Sequence, residues 1–226
     1  MSSYKINDIT YPSVTTILGI LDKSSALIPW AVRLAVKYCE ANKDDPMVFD
    51  RALKEWRKVS EEAMDIGSEI HKLIELYIKD GRDAVGQLRP EVENGFLAFL
   101  EWEQENGCEW LQSEMTVINS SAGYAGTLDA IVKFTKGKMA GKTYVIDFKS
   151  SKGFYDGYGK QIAAYRFACG QEVDGMGVLR LDKETGEPEF KDYSEGYERK
   201  LQAFHALVDF YYADKKRRLK NNPRVF

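Results

Sequence analysis

The segment Val145-Ile146-Asp147-Phe148-Lys149-Ser150 sets a carboxylate and an ammonium two residues apart in a run of strand-forming residues. Residues two apart in a strand share a face, so Asp147 and Lys149 point one way while Ile146 and Phe148 pack the other. A carboxylate and an ammonium side by side near a strand end can bind a metal ion and place a cation beside an attacking water. Taken alone, the signal is weak: Asp-x-Lys is common by chance and more often marks a solvated strand face. Upstream, Gly126-Thr127-Leu128-Asp129-Ala130-Ile131-Val132 carries an acid inside an apolar run. A buried carboxylate is costly unless it is paired or bound to metal. Asp129 therefore either caps or pairs with a nearby lysine, or meets Asp147 at one divalent cation. Oxygen ligands of this kind suit Mg²⁺ or Mn²⁺. Glu114, in Gln112-Ser113-Glu114-Met115-Thr116, adds a third carboxylate on the metal or behind it, unless it is simply an exposed strand residue.

Two helical patterns accompany these acids. Gly67, His71 and Glu75 fall four apart on one helix face. His71 is then a candidate ligand, although a lone helical histidine also fits a hydrogen-bonded surface position. Gln161 and Tyr165 are also four apart and share a face. Their amide, hydroxyl and ring can position a phosphate backbone or a base, or form a polar surface beside a half-buried ring. Ser150 and Ser151, next to the Asp-x-Lys segment, are further candidate substrate contacts. His205 lacks such neighbours and reads as structural.

The elements that must hold these residues follow from periodicity. The first half reads as mainly helical. Tyr4 to Ile9 suggests an edge strand, and Ser13 a cap for a short helix carrying Ile17, Leu18 and Leu21. Pro29 suits the first turn of a helix running to about Asn42. Separate helices are expected over Phe49 to Ala63 and Met64 to Asp80, with Gly81 as a stop. Another spans Pro90 to Glu105. Strands then follow at Trp110 to Ile118, Tyr124 to Phe134 and Lys142 to Lys149, as an antiparallel meander. A helix over Gly157 to Gly170, a strand over Gly175 to Leu181, a short strand ending near Tyr193 and a helix over Glu195 to Lys220 complete the chain. The expected fold is α/β (α+β), a central mixed sheet of about five strands flanked by helices. One domain, 1-226, is expected, with a mainly helical region over 1-107 carrying His71 and a sheet-containing core over 108-226.

Composition narrows the classes. Hydrophobic residues make up 44% of the 226 and charged residues 30%, which excludes disorder as the dominant state. No run approaches the ~18 apolar residues of a membrane span, and the first residues lack the apolar core of a secretory signal. The net charge of −3 argues against coating nucleic acid by bulk charge, but not against a local basic groove. Lys215, Lys216, Arg217, Arg218, Lys220 and Arg224 form a basic run that is either a solvated helix end or a nucleic-acid or partner contact. Cys39, Cys108 and Cys169 are three, far apart and without a CxxC pair, so neither a zinc knuckle nor an iron–sulfur framework is visible. Reduced thiols in a cytosol are expected. The missing transit peptide and compact size lean toward a bacterium or a phage-infected host cell, with a cytoplasmic location and no membrane partner.

The order Gly-x-x-x-His, Glu, Gly-x-x-Asp, Asp-x-Lys, Gln-x-x-x-Tyr resembles the PD-(D/E)XK nuclease superfamily, in its RecB-like exonuclease branch. The resemblance covers about Ala63 to Ala168. Pro12-Ser13-Val14-Thr15-Thr16-Ile17-Leu18 is similar to the N-terminal segment of the mitochondrial genome-maintenance exonucleases and related bacteriophage nucleases. The resemblance implies a restriction-endonuclease-like core and assigns each matching position a role. His71, Asp129 and Asp147 would be metal ligands, completed by the Phe148 carbonyl, and Lys149 the catalytic lysine. Gln161 and Tyr165 would lie close to the active site and DNA, and Glu114 would match an acidic position found before the Gly-x-x-Asp strand. The four-cysteine iron–sulfur cluster of many relatives is not carried over.

The expected activity is Mg²⁺- or Mn²⁺-dependent hydrolysis of DNA phosphodiesters with one or two ions. A single-strand exonuclease of replication, recombination or repair is favoured, with the helical first half as an arch or wall for a free strand end. No helicase motif is present, so a motor would come from a separate helicase or recombination protein. A structure-specific or restriction-type endonuclease, and a silent DNA-binding module on the same fold, remain as alternatives.

Overall fold

The computed structural model describes residues 2–81 and 87–214. These pack as two compact units, one formed by Leu21–Glu69 and the other by the described residues on either side of it. The basic run from Lys215 onward, and the end of the last helix expected there, lie outside the described residues.

The larger unit opens with a hairpin of β1 (Ser3–Ile6) and β2 (Ile9–Pro12), paired from Ser3↔Pro12 to Ile6↔Ile9. A single strand over Tyr4 to Ile9 was expected. Asn7 and Asp8 instead take φ of 48° and 61°, the left-handed pair of a tight two-residue turn. Asn and Asp tolerate that region better than other side chains. The short helix α1 (Val14–Leu18) starts at Ser13, whose hydroxyl accepts the Thr16 N–H at 2.9 Å. It ends before Leu21, which was expected to lie on it.

The smaller unit holds α2 (Ser24–Ala41) and the first stretch of α3 (Val48–Asp80). Pro29 sits inside α2 rather than in its first turn. The helix begins earlier because the Asp22 carboxylate accepts the Ser24 N–H and hydroxyl at 2.8 and 3.0 Å. α3 is one continuous helix, not two neighbours. No glycine or proline interrupts Ala63-Met64, and both residues favour helix. Ile70, Leu73 and Ile74 are buried on it, and Gly81 follows at φ 80°, its N–H on the Tyr77 carbonyl.

α4 (Pro90–Asn106) has Pro in its first turn and Gly107 at φ 60° just past its end, as that asymmetry requires. The remaining strands are β3 (Cys108–Asn119), β4 (Tyr124–Phe134), β5 (Thr143–Lys149), β6 (Gly175–Leu181) and β7 (Pro188–Asp192). They form one mixed sheet in the order β3-β4-β5-β6-β7. β3, β4 and β5 are an antiparallel meander, β5 and β6 run parallel, and β7 returns antiparallel on β6. Parallel neighbours need a long crossover, here supplied by α5 (Asp156–Ala168). The mixed α/β fold with a five-stranded sheet is thus present. Central strands buried on both faces read as continuous apolar runs, and Val145, Ile146, Met176, Val178 and Leu179 are fully buried.

Helices cover the sheet through aromatic contacts. From α4, Phe99 meets Phe148 edge-on at 5.7 Å and Trp102 meets Phe134 at 5.6 Å. On α6 (Tyr197–Asp214), Phe204 lies 5.0 Å from the Tyr124 ring, and Leu201 and Val208 are buried beside it. Leu207 and Tyr211, on the same helix, are half-buried. His205 packs its ring near Tyr124, Phe167 and Phe204. Among the described residues no helix is long and apolar enough to cross a membrane.

Candidate metal centre

The site forms where β4 and β5 separate. Their pairing runs from Lys133↔Thr143 to Ala130↔Ile146 and stops there, one step short of Asp129 and Asp147. The backbone N–H of Phe148 then lacks a ladder acceptor on β4. The Asp129 carboxylate takes that place, accepting the Phe148 N–H at 2.6 Å through Oδ2. Asp129 is buried, and this bond satisfies one of its oxygens without neutralising its charge.

Two further groups converge on it. His71, in the stretch of α3 that belongs to the larger unit, brings Nδ1 within 3.5 Å of Asp129 Oδ2. Its ring meets Phe148 edge-on at 6.0 Å, which fixes its tilt. Glu114 lies on β3 between the pairs Ser113↔Ala130 and Met115↔Leu128, opposite Asp129. Its φ of 50° is left-handed, a conformation that interrupts strand alternation and re-aims the side chain. Such strain costs about 1–3 kcal/mol and collects at functional sites. One ligand atom each from His71, Glu114 and Asp129 lies within 4.8 Å of the others. Two ligands of one hard cation stand at most about 4–5 Å apart, so the spacing fits a single ion.

The electrostatics point the same way. Burial raises the Glu114 carboxyl to about 7, and the nearby Asp129 charge pushes further, with His71 opposing. The Asp147 carboxyl is raised to about 6, first by burial, against the pull of Lys149 and with a further push from Asp129. Acids held this far up gain from a divalent cation, which offsets their mutual repulsion. Asp147 Oδ2 is also buried without an aligned hydrogen-bond donor among the described residues, although Lys149 Nζ lies 2.5 Å away as an ion pair. His71, Glu114 and Asp129 together offer a nitrogen-and-oxygen donor set that could hold a metal ion.

A second set of contacts fixes the Asp-x-Lys pair. Burial pulls the Lys149 ammonium down, but Asp147 and Asp129 more than offset this, so it is raised and stays charged. Gln161 donates its amide to Asp147 Oδ1 at 3.1 Å and reaches the Tyr165 hydroxyl at 3.3 Å. Gln161 and Tyr165 are both buried, and burial raises the Tyr165 phenol. Gly126 makes room for that ring: a Cβ there would stand 2.6 Å from a Tyr165 ring carbon.

Sequence reasoning placed Asp147 among the ligands with His71 and Asp129. The structure gathers Glu114 with His71 and Asp129, and holds Asp147 beside them through Lys149 and Gln161. Phe148 takes part through its N–H. Ser151 accepts the Tyr158 hydroxyl at 2.9 Å and donates to the Gly153 carbonyl, and Ser150 is half-buried just past β5. Tyr158 went unnoticed in the sequence. Its ring centroid lies 5.4 Å from Lys149 Nζ. The signal was available, since Tyr158, Gln161 and Tyr165 make a stripe of three- and four-residue spacing along α5.

No family model matches the chain, and no curated protein matches it. Among solved structures it is similar to one described as "Crystal structure of SSO0001", at 14% identity and a TM-score of 0.33, over 67% of this chain and 74% of that one. A likeness this slight carries no argument about fold or activity.

Proposed function

We propose that this chain is a metal-dependent nuclease of the PD-(D/E)XK kind that hydrolyses DNA phosphodiesters, with single-strand ends as the favoured substrate. The observation that carries the reading is the adjacency of two groups where β4 and β5 separate. His71, Glu114 and Asp129 converge there, and the buried Asp147–Lys149 ion pair stands beside them.

His71, Glu114 and Asp129 would hold a divalent cation, with Asp147 Oδ2 beside it. Bound there, the cation supplies positive charge against the phosphate oxygens and acidifies water for attack. The chain's own contribution is positional. Lys149 remains an ammonium and presents charge to the phosphoryl oxygens as negative charge grows. Asp147 pins that ammonium, Gln161 pins Asp147, and Tyr165 anchors Gln161 against Gly126. The Asp129–Phe148 bond holds the two strand ends at a set separation, so that ligands and lysine keep their geometry before substrate arrives.

The test is cleavage of end-labelled single strands, duplex and closed circular DNA with Mg²⁺ or Mn²⁺. Progressive shortening of linear single strands, intact circles and an inert Lys149→Ala variant are expected. Cut circles would move the assignment to an endonuclease, and no cleavage of any substrate would leave a silent binding module.

A further inference from the structure

A cleft of about 300 Å³ lies among the residues that lead into α5, the end of β7 and the first turn of α6. Lys160, Lys191, Arg199 and Lys200 line it, against one carboxylate, Asp156. Among the described residues none of these four cations makes a salt bridge. Lys160 Nζ donates to the Asp156 carbonyl at 3.1 Å and Lys200 Nζ to the Glu195 carbonyl, so their charge is not neutralised by an acid. In a chain of net charge −3 this is a local concentration of positive charge. Phe154, Tyr155 and Tyr193 line the same cleft. Lys191 Nζ lies 5.4 Å from the Phe154 ring and 5.3 Å from the Tyr193 ring, and Lys200 Nζ 6.0 Å from Tyr193. Gly159 admits that arrangement, because a Cβ there would stand 2.9 Å from the Tyr193 ring and 3.1 Å from Lys200 Cδ.

Two ring contacts link the cleft's lining to the candidate centre. The Tyr155 ring meets the Tyr158 ring edge-on at 5.5 Å, and the Tyr158 ring lies 5.4 Å from Lys149 Nζ. Tyr155 is nonetheless 57% exposed, an aromatic face turned to solvent beside a row of cations. Rings for stacking combined with ammonium and guanidinium groups for phosphate are what a single strand of nucleic acid requires. An acidic peptide would use the cations and leave the rings idle. A volume at the small end of ligand sites suits one nucleotide, not a duplex.

We infer that this cleft is a second binding site for single-stranded nucleic acid, taking one nucleotide with its base on Tyr155 and its phosphates on Lys191 and Arg199. The substrate class rests on the nuclease reading, whereas the cleft's affinity can be measured without catalysis. The experiment is anisotropy of labelled oligothymidylate and oligouridylate with the full chain in EDTA, across a salt series. Binding of either strand by the wild-type chain is expected. The double variant Lys191→Ala/Arg199→Ala should bind at least about tenfold more weakly. Its salt slope should fall by about 0.7 for each phosphate that is no longer neutralised. Tyr155→Ala should lose about fivefold or more with its salt slope unchanged. These surface substitutions should leave the thermal transition in place. Wild-type affinity in both variants would overturn the inference. So would polyglutamate competing as well as unlabelled oligothymidylate, which would make the cleft an acidic-peptide surface. A chain that cleaves nothing, yet binds more weakly in these variants, would uphold the cleft and refute the nuclease. A chain that cleaves, with variants of unchanged affinity, would do the reverse.

Discussion

Asp129 Oδ2 accepts the backbone N–H of Phe148 across a gap where the strands no longer pair. The side chain thus performs a ladder's structural work while standing 3.5 Å from His71 Nδ1. Its structural role and its proposed metal-binding role can be separated by substitution. Asp129→Ala leaves a buried N–H without an acceptor, at a cost of about 1–3 kcal/mol. Asp129→Asn keeps an amide oxygen for that N–H but removes the charge. Thermal melts in EDTA should show the alanine variant well below the asparagine variant, which should lie near wild type. Adding Mn²⁺ should raise the wild-type transition only. An asparagine variant stabilised by Mn²⁺ as much as wild type would remove Asp129 from the ligand set.

The two raised carboxyls make the metal-free fold sensitive to pH. Glu114 sits at about 7 against an ordinary 4.5, and Asp147 at about 6 against 3.8. Both bind protons more tightly folded than unfolded, so their contribution is fully present below the ordinary values. It is lost as pH rises toward the folded ones. In EDTA, the melting temperature should therefore fall as pH goes from about 4 to 7. Glu114→Gln should flatten the upper end of that fall. A melting temperature that climbs steadily through this window, unchanged by Glu114→Gln, would contradict the burial of these acids.

Much of the fold was legible because the relevant signals are local. Strands β4, β5 and β6 announce themselves by apolar runs, and α4 by its Pro start and Gly stop. The β1–β2 hairpin was hidden because Asn7-Asp8 lacks the glycine that usually marks such a turn. The candidate site was legible as an ordered set of residue types, but not as geometry. Nothing in the spacing of Glu114 shows its left-handed φ, and nothing about Asp129 shows that β4 and β5 separate beside it. Both depend on partners distant in sequence.

Gly126 and Tyr165 form a packing pair whose failure should propagate to Asp147. Gly126→Ala puts a methyl 2.6 Å from a Tyr165 ring carbon, inside van der Waals contact. Overpacking of this kind costs about 1–3 kcal/mol. Displacing the ring also withdraws the hydroxyl that Gln161 contacts at 3.3 Å. Tyr165→Phe removes only the hydroxyl and should keep the melting temperature close to wild type. Chemical denaturation of both variants and the double variant measures the coupling. If Gly126→Ala melts as wild type does, the ring is not held against β4.

On the proposed nuclease reading, substitution of Lys149 should separate catalysis from binding. Its ammonium is paired with Asp147 at 2.5 Å and faces the Tyr158 ring, so its position is set before any substrate arrives. Groups placed ahead of time against growing charge are worth about 10²–10³ in rate when removed. Lys149→Ala should therefore lose DNA cleavage by about that factor. Its affinity for a labelled single strand should change little, because the cations of the second cleft remain. The buried Asp147 would lose its partner, and its carboxyl should rise further. Raising pH would re-ionise Asp147 but should not restore the variant's rate, because the Lys149 ammonium is gone. Lys149→Arg keeps the charge but replaces a compact ammonium with a planar fork, and should recover only a fraction of the activity. Single-turnover cleavage alongside anisotropy distinguishes these effects. A Lys149→Ala protein that cuts at the wild-type rate would exclude Lys149 from the chemistry, whereas one that loses binding and cleavage in equal measure would make it a substrate anchor.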